Sequence, residues 1–217
     1  MLTISNLYDL SHTIAHAYLG QFTYPWEALP GIKEEIIRLG QTLGDDYEEV
    51  QPQVWVHKTA KVFSSAYLGA PCIIGPETEV RHCAFIRGAA LVGAGCVVGN
   101  SVELKNVILF DKVQVPHYNY VGDSILGYKS HMGAGSITSN VKSDKTLVVI
   151  HTQPEIPTGI KKVGALLGDY VEVGCNSVLN PGTVVGRNSS IYPVSCVRGV
   201  VPENSIYKTG GIIVGKQ

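Results

Sequence analysis

The stretch Pro-His-Tyr-Asn-Tyr-Val-Gly-Asp at residues 116–123 carries the densest chemistry in this chain. An imidazole such as that of His117 titrates near neutral pH and can take a proton from a reacting group. A single histidine is more often structural than catalytic, so its neighbours decide. Lys105 lies two six-residue steps upstream, Tyr120 stands beside it, and Asn140 follows beyond the next coil. A cation, a phenol and an amide around an imidazole form a polar cluster for a small ligand once a fold converges them on one face.

The elements that must position them follow a period of six. Val56, Val62, Leu68, Ile74, Val80, Ile86, Val92, Val98 and Leu104 stand six apart, and Phe110 and Pro116 continue the series. The residue four places after each is small or apolar: Ala60, Ala66, Cys72, Thr78, Ala84, Ala90, Cys96, Val102. This period fits neither a helix nor an independent strand. It is the pattern of a hexapeptide β-solenoid, a mainly β fold in which three hexads close a triangular coil and residues eighteen apart stack. The period returns at Leu126, Met132 and Thr138, and again from Leu167 through Val173, Leu179, Val185 and Ile191 to Val197. Between Pro116 and Leu126 four residues are in excess, and Met132 to Leu167 is one short of a multiple of six. Such breaks predict extruded loops, where function tends to reside. The segment 141–164 is the larger excursion. Its Pro154 and Pro157 argue against a central strand, and Lys142, Lys145, Lys161 and Lys162 suit either a flap over a ligand or a solvated loop.

Residues 1–53 lack the hexad rule, and the solenoid domain is read as 54–217. Ile32, Ile36, Leu39 and Leu43 sit at helical spacing with Gly44 as a stop, and Ser11–Leu19 suggests a second short helix. The segment is expected to cap the open apolar end of the coil or to act as an arm toward a neighbouring subunit. His12 and His16, four apart, are read as a solvated helix face.

With 217 residues, 45% of them hydrophobic, the chain can bury a sizeable core, and 24 glycines suit tight corners. A net charge of −1 without a basic run argues against nucleic acid, so an anionic ligand must be met by a few local cations. No stretch approaches the roughly 20 apolar residues of a membrane span. No signal-peptide pattern is seen at the N-terminus, and none of the five cysteines forms a C-x-x-C pair. Cys72 and Cys96 read as reduced core fillers, and a cytoplasmic location is expected.

Several motifs together resemble a known family. Leu104–Lys105, His117-x-x-Tyr120-x-Gly122-Asp123 and Gly133-Ala134-Gly135-Ser136-Ile137-Thr138-x-Asn140 are similar to the acetyltransferase domain of bifunctional N-acetylglucosamine-1-phosphate uridyltransferases. Arg87-Gly88-Ala89 resembles that family's Arg-Pro-Gly-Ala element, and 158–169 resembles its archaeal branch. The resemblance covers roughly residues 55–207. It implies a left-handed parallel β-helix, trimeric, that acetylates the amine of glucosamine-1-phosphate with acetyl-CoA as co-substrate. On this resemblance His117 is the general base. Arg87 and Lys105 hold the phosphate, Tyr120 and Asn140 bind the sugar or reactants, and Lys145 supplies a further contact. Ala134, Cys175 and Pro193 line the coenzyme, and a backbone N–H within Gly133–Gly135 faces the thioester oxyanion. No metal is required.

Three positions depart from the bacterial pattern: His131 and Val141 replace Asn and Tyr, and Cys175 replaces the coenzyme-binding Ser. The Gly-rich loop of the family's nucleotidyltransferase domain is not found in residues 1–50, so the chain is not expected to make a nucleotide sugar itself. These departures keep other readings open: galactosamine-1-phosphate or a nucleotide-linked amino sugar as acceptor, or a solenoid that regulates without turnover. A γ-carbonic-anhydrase-like zinc site would need His82, His117 and His131 together.

Overall fold

The computed structural model describes residues 2–216. Its strands stack in parallel into the three faces of a left-handed parallel β-helix. One face comprises Cys72–Ile74, the C-terminal halves of Phe85–Val92, Glu103–Leu109 and Tyr120–Leu126, then Ala165–Leu167, Thr183–Val185 and Val200–Val201. A second face runs from Lys61–Val62 through Gln114–His117 to Ser205–Lys208. The third begins at Tyr67–Leu68, takes the N-terminal halves of the three long strands and ends at Cys196–Val197. Antiparallel strands finish the stacks: Tyr47–Gln51 on Val54–His57, and Ile212–Gly215 on Ser205–Lys208.

The coil is not uniformly eighteen residues long. Early rungs keep that spacing, as in Val80 on Val98 and Ile86 on Leu104. Then Val92 pairs with Leu109, Val98 with Val115, and Leu104 with Val121, seventeen apart. The inward positions are therefore Leu109 and Val115, not Phe110 and Pro116. No loop is extruded between Pro116 and Leu126, because Tyr120–Leu126 is a paired strand. Phe110 is nonetheless buried, its ring 5.1 Å from Tyr8.

Outward side chains distinguish the faces. On the first face Ile73, Leu91, Ile108, Ile125, Leu166 and Val184 alternate with the inward series, yet all are buried. The N-terminal segment covers them, and its contacts climb the coil. The Leu7 carbonyl accepts from the Asp169 N–H (3.0 Å), Tyr8 donates to the Ile125 carbonyl, the Asp111 N–H donates to the His12 carbonyl, and Asn106 donates to that of Leu29. Helix α1 (Ile4–Leu7), helix α2 (His16–Leu19), helix α3 (Pro25–Ala28) and helix α4 (Ile32–Gly40) bury Leu7, Leu19, Trp26, Ile32 and Ile36 against this face. Residues 2–40 thus form a strap along one face, while Tyr47–Gln51 closes the stack at its first strand. Each large side chain buried here contributes about 1.5–3 kcal/mol.

Helix α4 stops at Gly40 rather than Gly44; Gly40 packs on the Trp55 ring, where a Cβ would lie 2.3 Å from the indole. His12 ends a short 3-10 turn before α2 begins at His16, so the two histidines share no helix face; the His12 ring stacks on Tyr128 at 3.6 Å.

The excursion is ordered. Val149–Ile150 and Ile156–Pro157 form an antiparallel hairpin, the two-stranded setting in which a proline is tolerated. Val148 and Ile150 are buried against Gly182, whose φ of +78° and missing Cβ let the hairpin dock: a Cβ there would meet Val148 at 2.8 Å.

Candidate active site

Two corners border the third, uncovered face. At the corner between the second and third faces a residue of positive φ recurs in successive rungs: Cys83, Ser101, Tyr118, Gly135, Asn176 and Val194. Each preceding residue accepts a hydrogen bond from the corner N–H of the next rung. Tyr118 donates to the Asn100 carbonyl (2.9 Å), Gly135 to His117 (3.0 Å), Asn176 to Ala134 (2.8 Å) and Val194 to Cys175 (2.9 Å). His82, Asn100, His117, Ala134, Cys175 and Pro193 therefore form one file down an outer edge. His117, Cys175 and Pro193 are exposed, and so are the flanking Tyr118 and Val194.

The His117 backbone is held from within. Asn119 occupies an inward small-residue position and is buried. Its side chain accepts from the His117 N–H (3.2 Å) and donates to the Gly133 carbonyl (2.9 Å) and the Ser136 carbonyl (3.0 Å) of the next rung. Among the described residues the His117 imidazole has no hydrogen-bond partner, which leaves both nitrogens to a ligand. In the adjoining Gly133–Gly135 turn the Gly133 N–H is spent on Val173 and that of Gly135 on His117, so the N–H left over is that of Ala134.

At the opposite edge the three long strands turn through Ala89, Asn106 and Asp123, all of positive φ. Asp123 is buried and serves as a hub: it pairs with Lys105 (2.9 Å) and accepts from Asn106 (2.9 Å) and from Asn140. Asn140 also donates to the Tyr120 hydroxyl (3.2 Å), so the Tyr120 O–H proton points elsewhere. Burial raises the Tyr120 pKa, and the carboxylates of Asp123 and Glu103 add to the shift, so the phenol stays protonated. A β-bulge at Ile86–Gly88 re-aims Arg87 onto Glu103 (3.1 Å). Lys105, Tyr120 and Asn140 thus share one network around Asp123, with the Arg87–Glu103 pair beside Tyr120, and each of the two cations already faces a carboxylate.

Not every expected residue joins. Lys145 sits exposed at the hairpin's approach, where its N–H bonds the Lys142 carbonyl; Lys142, not Lys145, lines the cleft beside Asn140. His131 lies on the second face, held by Glu172 at 2.8 Å, whereas His82 and His117 lie on the corner. Among the described residues no three His, Cys, Asp or Glu side chains gather as a metal site, and no helix is long and apolar enough to cross a membrane. Asp123, Asn119 and Arg198 carried no assigned role in the sequence reading. For Asp123 the available signal was its eighteen-residue distance from Lys105.

The model of the GMPPB C-terminal domain family matches residues 70–186. A bifunctional protein GlmU of Methanococcus maripaludis is 32% identical over 116 residues, 52% of this chain and 28% of that protein. A bifunctional sugar-1-phosphate nucleotidylyltransferase/acetyltransferase of Sulfurisphaera tokodaii is 28% identical over 85% of this chain and 47% of its own length. The chain therefore spans less than half the length of these relatives. Among solved structures, a Francisella novicida UDP-N-acetylglucosamine acyltransferase covers 70% of the chain and 63% of its own, at 15% identity and a TM-score of 0.40. A Bacillus cereus N-acyltransferase, AntD, with dTDP and coenzyme A covers 76% and 81%, at 16% identity and a TM-score of 0.38. The family model spans more than half of the residues, and the chain belongs to the GMPPB C-terminal domain family.

Proposed function

We propose that this chain is an acetyl-CoA-dependent N-acetyltransferase acting on an amino-sugar phosphate. The observation that carries the reading is the file His117–Ala134–Cys175–Pro193 bordering the face that holds Arg87, Lys105, Tyr120 and Asn140. The Sulfurisphaera tokodaii relative bears acetyltransferase in its name, which agrees with it.

In this reading the coenzyme lies along the file, its thioester near His117. The His117 imidazole takes a proton from the sugar ammonium or from the attacking amine. The nitrogen lone pair forms the C–N bond at the thioester carbonyl, the C–S bond breaks, and the coenzyme leaves as a thiolate. The Ala134 N–H faces the developing oxyanion. Arg87, half-exposed and able to leave Glu103, binds the acceptor's phosphate together with Lys105, whose Asp123 partner fixes its position. Tyr120 donates its free O–H to the acceptor, and Lys145, exposed in this structure, would have to swing in from its loop to add a contact. The acceptor is glucosamine-1-phosphate or galactosamine-1-phosphate. The assembly is a homotrimer in which a neighbouring coil completes the coenzyme groove, and the protein works in the cytoplasm.

The test is coenzyme thiol release from acetyl-CoA with glucosamine-1-phosphate, galactosamine-1-phosphate and unphosphorylated glucosamine. Turnover with one phosphorylated amine, far above the unphosphorylated one, is expected. No release with any of the three, from a folded protein, would overturn the reading.

A further inference from the structure

We propose that the cleft between the excursion hairpin and the last coils is a phosphate-binding site centred on Arg198, separate from the Arg87–Lys105 network. Arg198 follows the inward Val197 as Lys105 follows Leu104. The outward file between them runs Lys105, Gly122, Ser139, Asn180, Arg198, four rungs, or roughly 19 Å at about 4.8 Å per rung. One phosphate group cannot bridge that distance, so Arg198 serves a different anion from Lys105.

The charge state of this cleft differs from that of the other network. Arg198 donates to His151 Nε2 at 3.1 Å instead of to a carboxylate. A guanidinium can only donate, so Nε2 is the accepting nitrogen, and the ring proton sits on Nδ1 facing Glu155 at 2.8 Å. Among the described residues the guanidinium is therefore oriented without being neutralised, and most of its N–H donors stay free. Lys142 reaches the same cleft. It lies 3.4 Å from Asp144, which also lines the cleft, and donates to Thr146; among the described residues that one carboxylate competes for Lys142 and none pairs with Arg198. Ser139 and Ser143 supply hydroxyl groups to a volume of about 290 Å³, ample for a phosphate and part of what carries it, while the Asn180 amide in its wall donates to Cys196 Sγ and the Val197 carbonyl. A planar fork, a lysine and uncharged polar groups around a concave pocket are the recognition set of a phosphate. The hairpin that delivers His151 is seated by Gly182 and Gly199, which belong to the fold rather than to a passing surface contact.

The inference does not depend on acetyl transfer. The test titrates the full chain with inorganic phosphate and follows the His151 ring-proton NMR resonance, assigned with His151→Gln. A saturable shift is expected. It should weaken at least tenfold in Arg198→Gln, weaken less in Lys142→Gln, and persist in Arg87→Gln, with thermal melting confirming each fold. No saturable shift, an unchanged affinity in Arg198→Gln, or an equal loss in Arg87→Gln would overturn the proposal. Coenzyme A, 3′-dephospho-coenzyme A and glucosamine-1-phosphate, titrated in parallel, identify the phosphate's source as the one that saturates the same shift at the lowest concentration.

Discussion

The first and third faces of this coil share one interior and differ almost entirely outside it. Both turn an aliphatic residue inward at nearly every rung, Thr138 on the third face being the polar exception. Outside, the first face presents Ile73, Leu91, Ile108, Ile125, Leu166 and Val184, all covered by the N-terminal strap. The third presents Tyr67, Phe85, Glu103, Tyr120, Ile137, Val178 and Cys196, none of them buried. The inward lattice builds the scaffold and says nothing about use. The outward positions decide whether a face is core or site, and the strap turns one of them into core.

A polar side chain placed on each face should separate them most sharply. Leu91→Asp puts a carboxylate under the strap and should cost more than about 4 kcal/mol, enough to unfold much of the protein. Tyr67→Ser on the uncovered face should cost about 1 kcal/mol or less. Urea denaturation measures both, and similar losses would erase the distinction. Asn119→Ala comes next. It strands the His117 N–H and the Ser136 carbonyl inside the coil, the Gly133 carbonyl keeping Ser136 as its donor, so a loss of about 2–3 kcal/mol is expected, with acetyl transfer falling further than stability accounts for. Tyr120→Phe should leave the melting temperature within experimental error, because Asn140 retains Asp123 as its acceptor. Removing one donated hydrogen bond predicts a loss of kcat/KM of about tenfold.

The cysteines divide along the same line. Burial pushes the Cys72 and Cys96 thiols up to about 12, while Cys83, Cys175 and Cys196 are exposed. At pH 8 three thiols should react with an aromatic disulfide reagent and two only after unfolding, and acetyl-CoA should shield Cys175 among the three. The raised pKa values also have a sign. Between the ordinary thiol range near 9 and about 12 the folded chain holds protons that the unfolded chain has lost, so stability falls as pH rises through that window. Cys72→Ala should flatten that decline in a pH series of chemical melts.

Much of the scaffold was legible in the sequence, because an inward aliphatic every six residues has no other periodic explanation. The one-residue slip escaped because Val107–Phe110 is apolar throughout and fully buried, so Phe110 passed for the lattice residue that is in fact Leu109. The strap was foreshadowed by the apolar residues directly before every third lattice position, such as Ile73, Leu91 and Leu166, a pattern drowned by the stronger period. In the site, Arg87, Lys105, Tyr120 and Asn140 could be gathered from motifs. Arg198 could not, since its register with Lys105 must be counted through an excursion whose length breaks the period. Asn119 was hidden by its type, a polar residue in an inward position that pays its way through hydrogen bonds to the next rung.

The central claim is that the corner file positions His117 to deprotonate an amine beside the coenzyme thioester. The most direct test measures thiol release from acetyl-CoA with the preferred amino-sugar phosphate in wild type, His117→Ala and His117→Asn, with coenzyme affinity determined separately by calorimetry. The account predicts that kcat falls by about 10²–10⁴ in both variants while coenzyme affinity is retained, as for loss of a general base. Turnover within a few fold of wild type in either variant would contradict it.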